Sequence, residues 1–407
     1  MSLIISLLED IKWIFFILMT LSTFYLLFFS LAGLLKFKIK LPTALRLRKI
    51  AVFIPGYKED DAIFNVVQNA LDIDYPAEKY DVIVIADSFS PHILEKLSTL
   101  PIKVIEVSFE VSSKSKALNK AMFLLPDEYE IAVVLDADNR MGKSFLAKIN
   151  GAFELGFIAV QGQRIAKNLH SSFAILDTIS EEIDNHIFRR GHRVAGFSSA
   201  LIGSAMAFKY EVFKKEMSAI ESFDVEKKLE LNLLEQKIRI EYLEDAYVFD
   251  ERIDKPGNLI RQRTRGLSNQ MIYARRHFFK AFNQLFYKRN IDYFEKVLQH
   301  FQPPRTLLGG LITLALLLSF IFNDRDLRYA WLAVFLIFVI SLFLALPRKF
   351  MNFRIFKIIY LLPVSSFLML QSLFGVRKTR KGFNPTKHAV IVDRESTSRE
   401  TEDGTHK

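Results

Sequence analysis

Hydrophobic positions along this chain form three kinds of run. The first, from Ile11 to Leu35, is apolar over a length sufficient to cross a bilayer, since about 20 residues suffice at the helical rise. Glu9 and Asp10 precede it in place of positive charge and no small-x-small site follows, so it reads as a spanning helix or an uncleaved anchor, not a cleaved signal peptide. Basic residues follow it (Lys36, Lys38, Lys40, Arg46, Arg48, Lys49), which predicts that the next domain is cytoplasmic. From about Ile50 to Glu251 the pattern changes. Short β-branched runs ("IAVFIP", "DVIVIAD", "IKVIEV", "IAVVLDAD", "FIAVQGQ", "IRIEYLEDAYVFDE") alternate with helix-like stretches, predicting an α/β domain with a mostly parallel sheet.

Beyond residue 269 the third kind of run begins. Phe278, Phe282 and Leu285 share one helical face among Arg275, Arg276, Lys280 and Lys288. This fits helices lying in a membrane interface and, equally, an amphipathic helix packed on the soluble domain. Three apolar segments follow: Leu307 to Phe322 and Tyr329 to Leu346, joined as a hairpin by "NDRDLR", then Ile355 to Val376. If all three span, the basic tail lands on the side that the charge rule disfavours. Pro363 and the Ser365–Ser366 pair instead fit a broken or interfacial segment, and the topology of this element stays open. The expected plan is an N-terminal transmembrane helix (1–40), a catalytic domain (46–268), interface helices (269–306), a C-terminal transmembrane region (307–376), and a basic then disordered tail (377–407).

Composition sharpens this picture. The chain has 407 residues, 50% hydrophobic, with 38 Phe and a formal charge of +10. Its cations crowd beside apolar segments, again at Arg377, Lys378, Arg380 and Lys381, so they read as anchors facing anionic lipid. The interleaved aromatic and basic strand platform of a nucleic-acid binder is missing, and no nucleic-acid partner is expected. The absence of Cys excludes disulfides, zinc-thiolate sites and thiol catalysis.

Candidate chemistry gathers at strand ends, where an open α/β sheet presents its crevice. Asp136 and Asp138 follow the run Ile131–Val134 immediately. Hard carboxylate oxygens suit Mg²⁺ or Mn²⁺, with the remaining positions shared with nucleotide phosphates, although Asp-x-Asp alone also serves turns and caps. Tyr57 and Glu59 follow the first strand. Asp87 ends the second, where it either accepts the imide N–H of a uracil or caps a turn. Lys114 and Lys116 sit at the mouth of a helix, a place that favours phosphate, or are solvated charges. His186, His192 and His277 show no metal spacing, "RRGHR" (189–193) reads as a basic surface loop, and Glu244–Asp245 reads as a turn.

Taken in order, a strand followed by "P-x-Y-x-E", a strand-end Asp, "K-x-x-A-L-N", Asp-x-Asp, "G-S-x-x-A-F", an acidic region and "Q-x-x-R" resemble the membrane-bound glycosyltransferases of family 2. These are GT-A enzymes related to cellulose, hyaluronan and poly-N-acetylglucosamine synthases, and the resemblance covers about Ile50 to Gly266. It implies an α/β GT-A domain between N-terminal and C-terminal transmembrane helices. It further implies that Asp87 with Tyr57 or Glu59 holds the base, that Lys114 approaches the diphosphate, and that Asp136 lies near the nucleotide while Asp138, with Asp136, binds Mg²⁺ or Mn²⁺. "GSAMAFK", including Gly203 and Phe208, would line the acceptor side. Arg265 would pair with the diphosphate and Gln262 would shape the acceptor entrance.

Two departures stand out. Gly266 replaces the Trp that ends the family's Gln-x-x-Arg-Trp element, removing a stacking surface for sugar. The acidic base region reads "SFDVEKKLELNLL", with Glu226 at the base position and Asp224 next in line. The implied activity is metal-dependent inverting transfer from a nucleotide sugar, expected to be UDP-linked, to a lipid or glycan acceptor at the cytoplasmic membrane face. A processive polysaccharide synthase and a non-catalytic membrane scaffold are the alternatives.

Overall fold

The computed structural model describes residues 2–42, 46–58, 62–167, 171–221, 224–250, 256–322 and 325–350. Eight strands form one sheet: β1 (Ile50–Tyr57), β2 (Tyr80–Asp87), β3 (Lys103–Val107), β4 (Ile131–Val134), β5 (Arg140–Met141), β6 (Ala159–Ala166), β7 (Met206–Lys209) and β8 (Ile240–Asp250). The helices are α1 (Ser2–Leu34), α2 (Ile63–Leu71), α3 (Pro91–Ser98), α4 (Lys114–Leu124), α5 (Phe145–Glu154), α6 (Ser172–Asp184), α7 (His192–Val194) and α8 (Tyr210–Ser218). They continue with α9 (Val225–Glu235), α10 (Pro256–Phe286), α11 (Ile291–Phe301), α12 (Arg305–Ile321) and α13 (Arg325–Ala345).

Strand order is β3-β2-β1-β4-β7-β6-β8-β5. β1 pairs in parallel with both β2 and β4, and β6 with β8, whereas β7 runs antiparallel between β4 and β6. The sheet is therefore mixed, because β7 enters between two groups of parallel strands. Alternation along β1 sends Ile50, Val52 and Ile54 to a core shared with α2, α3 and α5. Ala51 and Phe53 point to the opposite core, shared with α4, α8 and α9. With both faces covered, β4 is buried at every position, which is why its sequence is a continuous apolar run. The chain leaves β1 toward β2 on one side and returns at β4 on the other. Such a switch point opens a crevice beyond the strands' carboxyl ends.

Among the described residues two helices are long and apolar enough to cross a membrane: Glu9–Leu34 within α1, and α13; α11 and α12, bent by 56°, make a third if they count as one span. α1 packs on α13, where Phe15 and Phe16 meet Trp331 with ring centroids 5.8 and 5.0 Å apart. Outward positions such as Leu18, Leu21, Phe28, Leu336 and Phe343 are exposed and apolar, as a lipid-facing surface requires. The segment 355–376 and the tail lie outside the described residues. α10 runs unbroken from Pro256 to Phe286, across the boundary expected near residue 268.

The stretch expected to be a basic surface loop is instead a buried helix. Residues Asn185–Gly191 form a π-helical turn that leads into α7, with Arg189 3%, His192 0% and Arg193 8% exposed. Burial is tolerated because each group has a distant partner. Arg189 pairs with Glu181 (3.0 Å), Arg193 with Glu241 (2.5 Å), and His192 with Glu295 (2.9 Å), which also accepts from Tyr25 of α1 (2.5 Å). Gly191 lets α1 approach this turn: a Cβ there would collide with the Phe29 carbonyl and stand 3.1 Å from that of His186. Gly191→Ala should therefore cost about 1–3 kcal/mol, the usual range for overpacking. Thermal unfolding in detergent should show it as a lowered midpoint.

Buried His277 on α10 shares a 2.8 Å hydrogen bond with the Tyr293 hydroxyl of α11. Burial, then Lys228, Lys280 and Arg276, push its pKa from 6.5 down to about 4. Unfolding thus takes up a proton between these values. The stabilisation is complete above pH 6.5 and fades as pH falls toward 4. Amide exchange across α10 and α11 should accelerate over that window in the wild type, with a flatter response in His277→Gln.

Candidate active site

Val134 ends β4, and the next amide, Leu135, donates to the Phe53 carbonyl (3.0 Å). A tight turn follows, closed by Asn139 N–H to the Asp136 carbonyl (3.1 Å), so Asp136 and Asp138 stand at the carboxyl edge beside β1. The Asp136 amide donates to Ser204 Oγ (3.1 Å), fastening this turn to the loop before β7. Lys114 is the first residue of α4, after Ser113, whose hydroxyl caps the helix by accepting from the Lys116 amide. Its Nζ donates to Asp136 Oδ1 (2.6 Å) and the Gly203 carbonyl (2.5 Å), and stands 3.8 Å from Glu226 Oε1. Burial lowers the Lys114 pKa, but Asp136 and Glu226 together outweigh it and the net shift is upward, keeping the ammonium charged.

Glu226 lies in the first turn of α9 and faces Gly203. Gly203 has φ +86°, and a Cβ there would come within 2.8 Å of Glu226 Oε1. The positive φ favours glycine here, and any side chain at this position would displace the Glu226 carboxylate. Lys114, Asp136, Gly203 and Glu226 thus converge from four separate segments.

Beside them lies a network that sequence reasoning missed. Asn139, fully buried, donates its Nδ2 to both Asp138 Oδ1 (2.8 Å) and Asp250 Oδ1 (2.7 Å). Arg164 of β6 stands 3.6 Å from Asp250 and 3.1 Å from Glu181. Burial lowers the pKa of its guanidinium, but Glu181, Asp250 and Asp136 outweigh it and raise it overall. The signal for Asp250 was present, since it ends an apolar strand as Asp87 does. Arg164 carried none, because its partners lie far away in sequence.

Tyr57 and Asp87 are register partners at the ends of β1 and β2. The Lys58 amide donates to the Asp87 carbonyl (3.1 Å), and Ser88 Oγ to its carboxylate (3.0 Å), leaving Asp87 2% exposed. Phe208 does not join the acceptor side. It is wholly buried on β7, stacked on Phe213 at 4.9 Å, because strand alternation turns it into the core. The Asp224 carbonyl, at the start of α9, accepts from the Lys228 amide (3.4 Å) and the Tyr273 hydroxyl (3.5 Å).

Glu59 and the side chains of Gln262 and Arg265 lie outside the described residues. Their helix nevertheless passes the site, since the Gly266 carbonyl accepts from Lys227, the neighbour of Glu226 (3.4 Å). Among the described residues, and apart from its own helix backbone and chain neighbours, no atom lies within 4 Å of a Cβ built on Gly266. Among the described residues no group of three or more His, Cys, Asp or Glu is placed to hold a metal alone. The oxygen-only pair Asp136 and Asp138 instead fits a cation that keeps waters and shares substrate phosphates.

A family model described as glycosyltransferase-like family 2 matches residues 48–269. Among curated proteins, nothing matches the chain. The mannosyltransferase PcManGT from Pyrobaculum calidifontis, solved with GDP-Man and Mn²⁺, is 18% identical with a TM-score of 0.49, over 81% of this chain and 97% of that one. S. aureus TarS 1–349 with UDP-GlcNAc is 15% identical (TM-score 0.36; 70% of this chain and 90% of that one). Glucosyl-3-phosphoglycerate synthase from Mycobacterium tuberculosis, with Mn²⁺, UDP and glucosyl-3-phosphoglycerate, is 14% identical (TM-score 0.36; 52% and 75%).

Proposed function

The chain belongs to glycosyltransferase-like family 2, and from that premise we propose that this GT-A glycosyltransferase moves a sugar with inversion from a UDP-linked donor to a lipid or glycan acceptor at the cytoplasmic membrane face. The observation that carries the reading is the convergence of Lys114, Asp136, Gly203 and Glu226 at the switch between β1 and β4.

Glu226 accepts the proton of the acceptor hydroxyl as its oxygen bonds the anomeric carbon and the bond to the diphosphate breaks. Asp87 and Tyr57, at adjoining strand ends, hold the base. Lys114 faces the negative charge that accumulates on the departing diphosphate, and the Gln-x-x-Arg resemblance assigns the same task to Arg265. Asp138 with Asp136 would hold Mg²⁺ or Mn²⁺, which would supply further positive charge there. The cytoplasmic assignment is supported by the cations Lys36, Lys38 and Lys40 at the domain end of α1.

The test incubates membranes carrying the full chain with UDP-, GDP- and other nucleotide sugars and Mg²⁺ or Mn²⁺, and reads released nucleoside diphosphate. Turnover of a UDP-sugar, abolished by chelation and restored by metal, is expected. Selective turnover of a GDP-sugar would overturn the UDP assignment, and no turnover of any donor would overturn the activity. Since Gly266 offers no stacking surface, product length on a gel separates single transfer from chain extension.

A further inference from the structure

α9 meets the loop before β7 at two points one helical turn apart. Glu226 stands against Gly203, and Glu230, four residues on and so on the same helix face, accepts from the Leu201 amide (2.5 Å). Between these points the fully buried Gln161 accepts from the Ile202 amide (3.1 Å) and donates to the Ser204 carbonyl (2.9 Å). The Gly203 carbonyl accepts from Lys114. Each residue from Leu201 to Ser204 is thus gripped, and the loop faces the base in one arrangement.

The charge that steadies Glu230 comes from another helix. Its carboxylate is 4% exposed, and Nζ of Lys296 on α11 stands 3.8 Å from the oxygen that takes the Leu201 amide. Lys296 is wholly enclosed, and its Nζ has no hydrogen-bond partner among the described residues. Burial raises the pKa of the Glu230 carboxyl, and Lys296 is the largest influence opposing that rise. α11 is itself fixed from the other side, since Glu295, the residue before Lys296, pairs with His192 and accepts from Tyr25 of α1.

An ammonium is costly to bury, and apolar side chains of similar volume often serve stability as well as a buried ion pair does. Packing alone therefore gives no reason for a cation at this depth, whereas the hold on Leu201 does. We propose that Lys296 is a positioning residue for the transfer reaction: acting through Glu230, it fixes the loop from Leu201 to Ser204 so that Gly203 and Lys114 meet Glu226 in the reactive arrangement. The proposal rests on the glycosyltransferase reading and adds to its site a pair that touches neither donor nor acceptor.

The test uses membranes carrying the full chain with UDP-sugar and Mn²⁺, and reads released nucleoside diphosphate per molecule able to bind UDP. Lys296→Met should lower this turnover at least about tenfold, the scale on which misplacement remote from the chemistry acts. Adding Glu230→Gln should restore much of it, because a neutral amide needs no cation yet still offers an oxygen to the Leu201 amide. Adding Glu230→Leu, equally free of charge but lacking that oxygen, should restore none. UDP affinity should be unchanged in all three variants, since the base is held at the ends of β1 and β2. Hydrogen exchange at the Leu201 amide, followed in detergent, should be slow in the wild type and faster in Lys296→Met.

Wild-type turnover in Lys296→Met, equal turnover in the two double variants, or a loss of UDP-binding capacity that accounts for the whole fall would each overturn the assignment. So would exchange of the wild-type Leu201 amide as fast as that of an exposed loop. A wild type that turns over no donor overturns the glycosyltransferase reading instead, and the exchange at Leu201 then still decides whether Lys296 and Glu230 hold the loop.

Discussion

Glu226→Gln should lower kcat for sugar transfer by about a hundredfold to ten-thousandfold, the range that a positioned general base supplies. The substitution keeps size and hydrogen-bonding shape but cannot take up the proton of the acceptor hydroxyl. The fold around it should hold, because the Lys114 ammonium retains Asp136 at 2.6 Å and the Gly203 carbonyl at 2.5 Å. The donor KM should accordingly change little, and the loss should fall on kcat. Glu226→Asp retracts the carboxylate by one methylene and should recover part of the rate. Asp224→Asn is the informative comparison, since Asp224 was the other sequence candidate. A smaller loss there is expected, because Glu226 and not Asp224 stands against Gly203 and Lys114. Undiminished transfer in Glu226→Gln would remove the general base and favour a scaffold that merely keeps the fold.

What the sequence disclosed follows the range of the forces involved. β1, β2 and β4 were legible because strands buried on both faces must be apolar throughout, and the residues at or just beyond their ends, Tyr57, Asp87, Asp136 and Asp138, inherit their placement from that rule. Lys114 was legible from its place at a helix mouth, though its partners were not. β7 was hidden: four residues within "GSAMAFK" read as a pocket motif, and only the pairing of Ala132 with Phe208 reveals an antiparallel strand that drives Phe208 into the core. The helix around Arg189 to Arg193 was misread for a related reason. Charge density implies solvent unless counter-charges arrive, and here they come from Glu181, Glu241 and Glu295, on three different elements. The pairing of Asn139 with Asp250 is equally non-local, joining residues 111 positions apart.

That last contact shapes the second large effect. Asp138→Asn should reduce transfer by about a thousandfold or more, equivalent to roughly 4 kcal/mol of transition-state stabilisation at 1.4 kcal/mol per tenfold. Asn keeps an oxygen able to accept from Asn139 Nδ2, so the bridge from residue 138 through Asn139 to Asp250 can persist and the fold should be preserved. What disappears is the negative charge that would retain a divalent cation opposite the diphosphate. The loss should therefore show as a raised Mn²⁺ activation constant, partly offset at high metal. A variant that merely loosened the turn would instead lose rate uniformly at every metal concentration. Removing Arg164 offers a contrast, since Arg164→Gln would leave Asp250 and Glu181 without their shared cation and should lower the unfolding midpoint as well as the rate. Wild-type turnover and metal response in Asp138→Asn would show that the cation is not held by Asp138, and the metal would lose its assigned place.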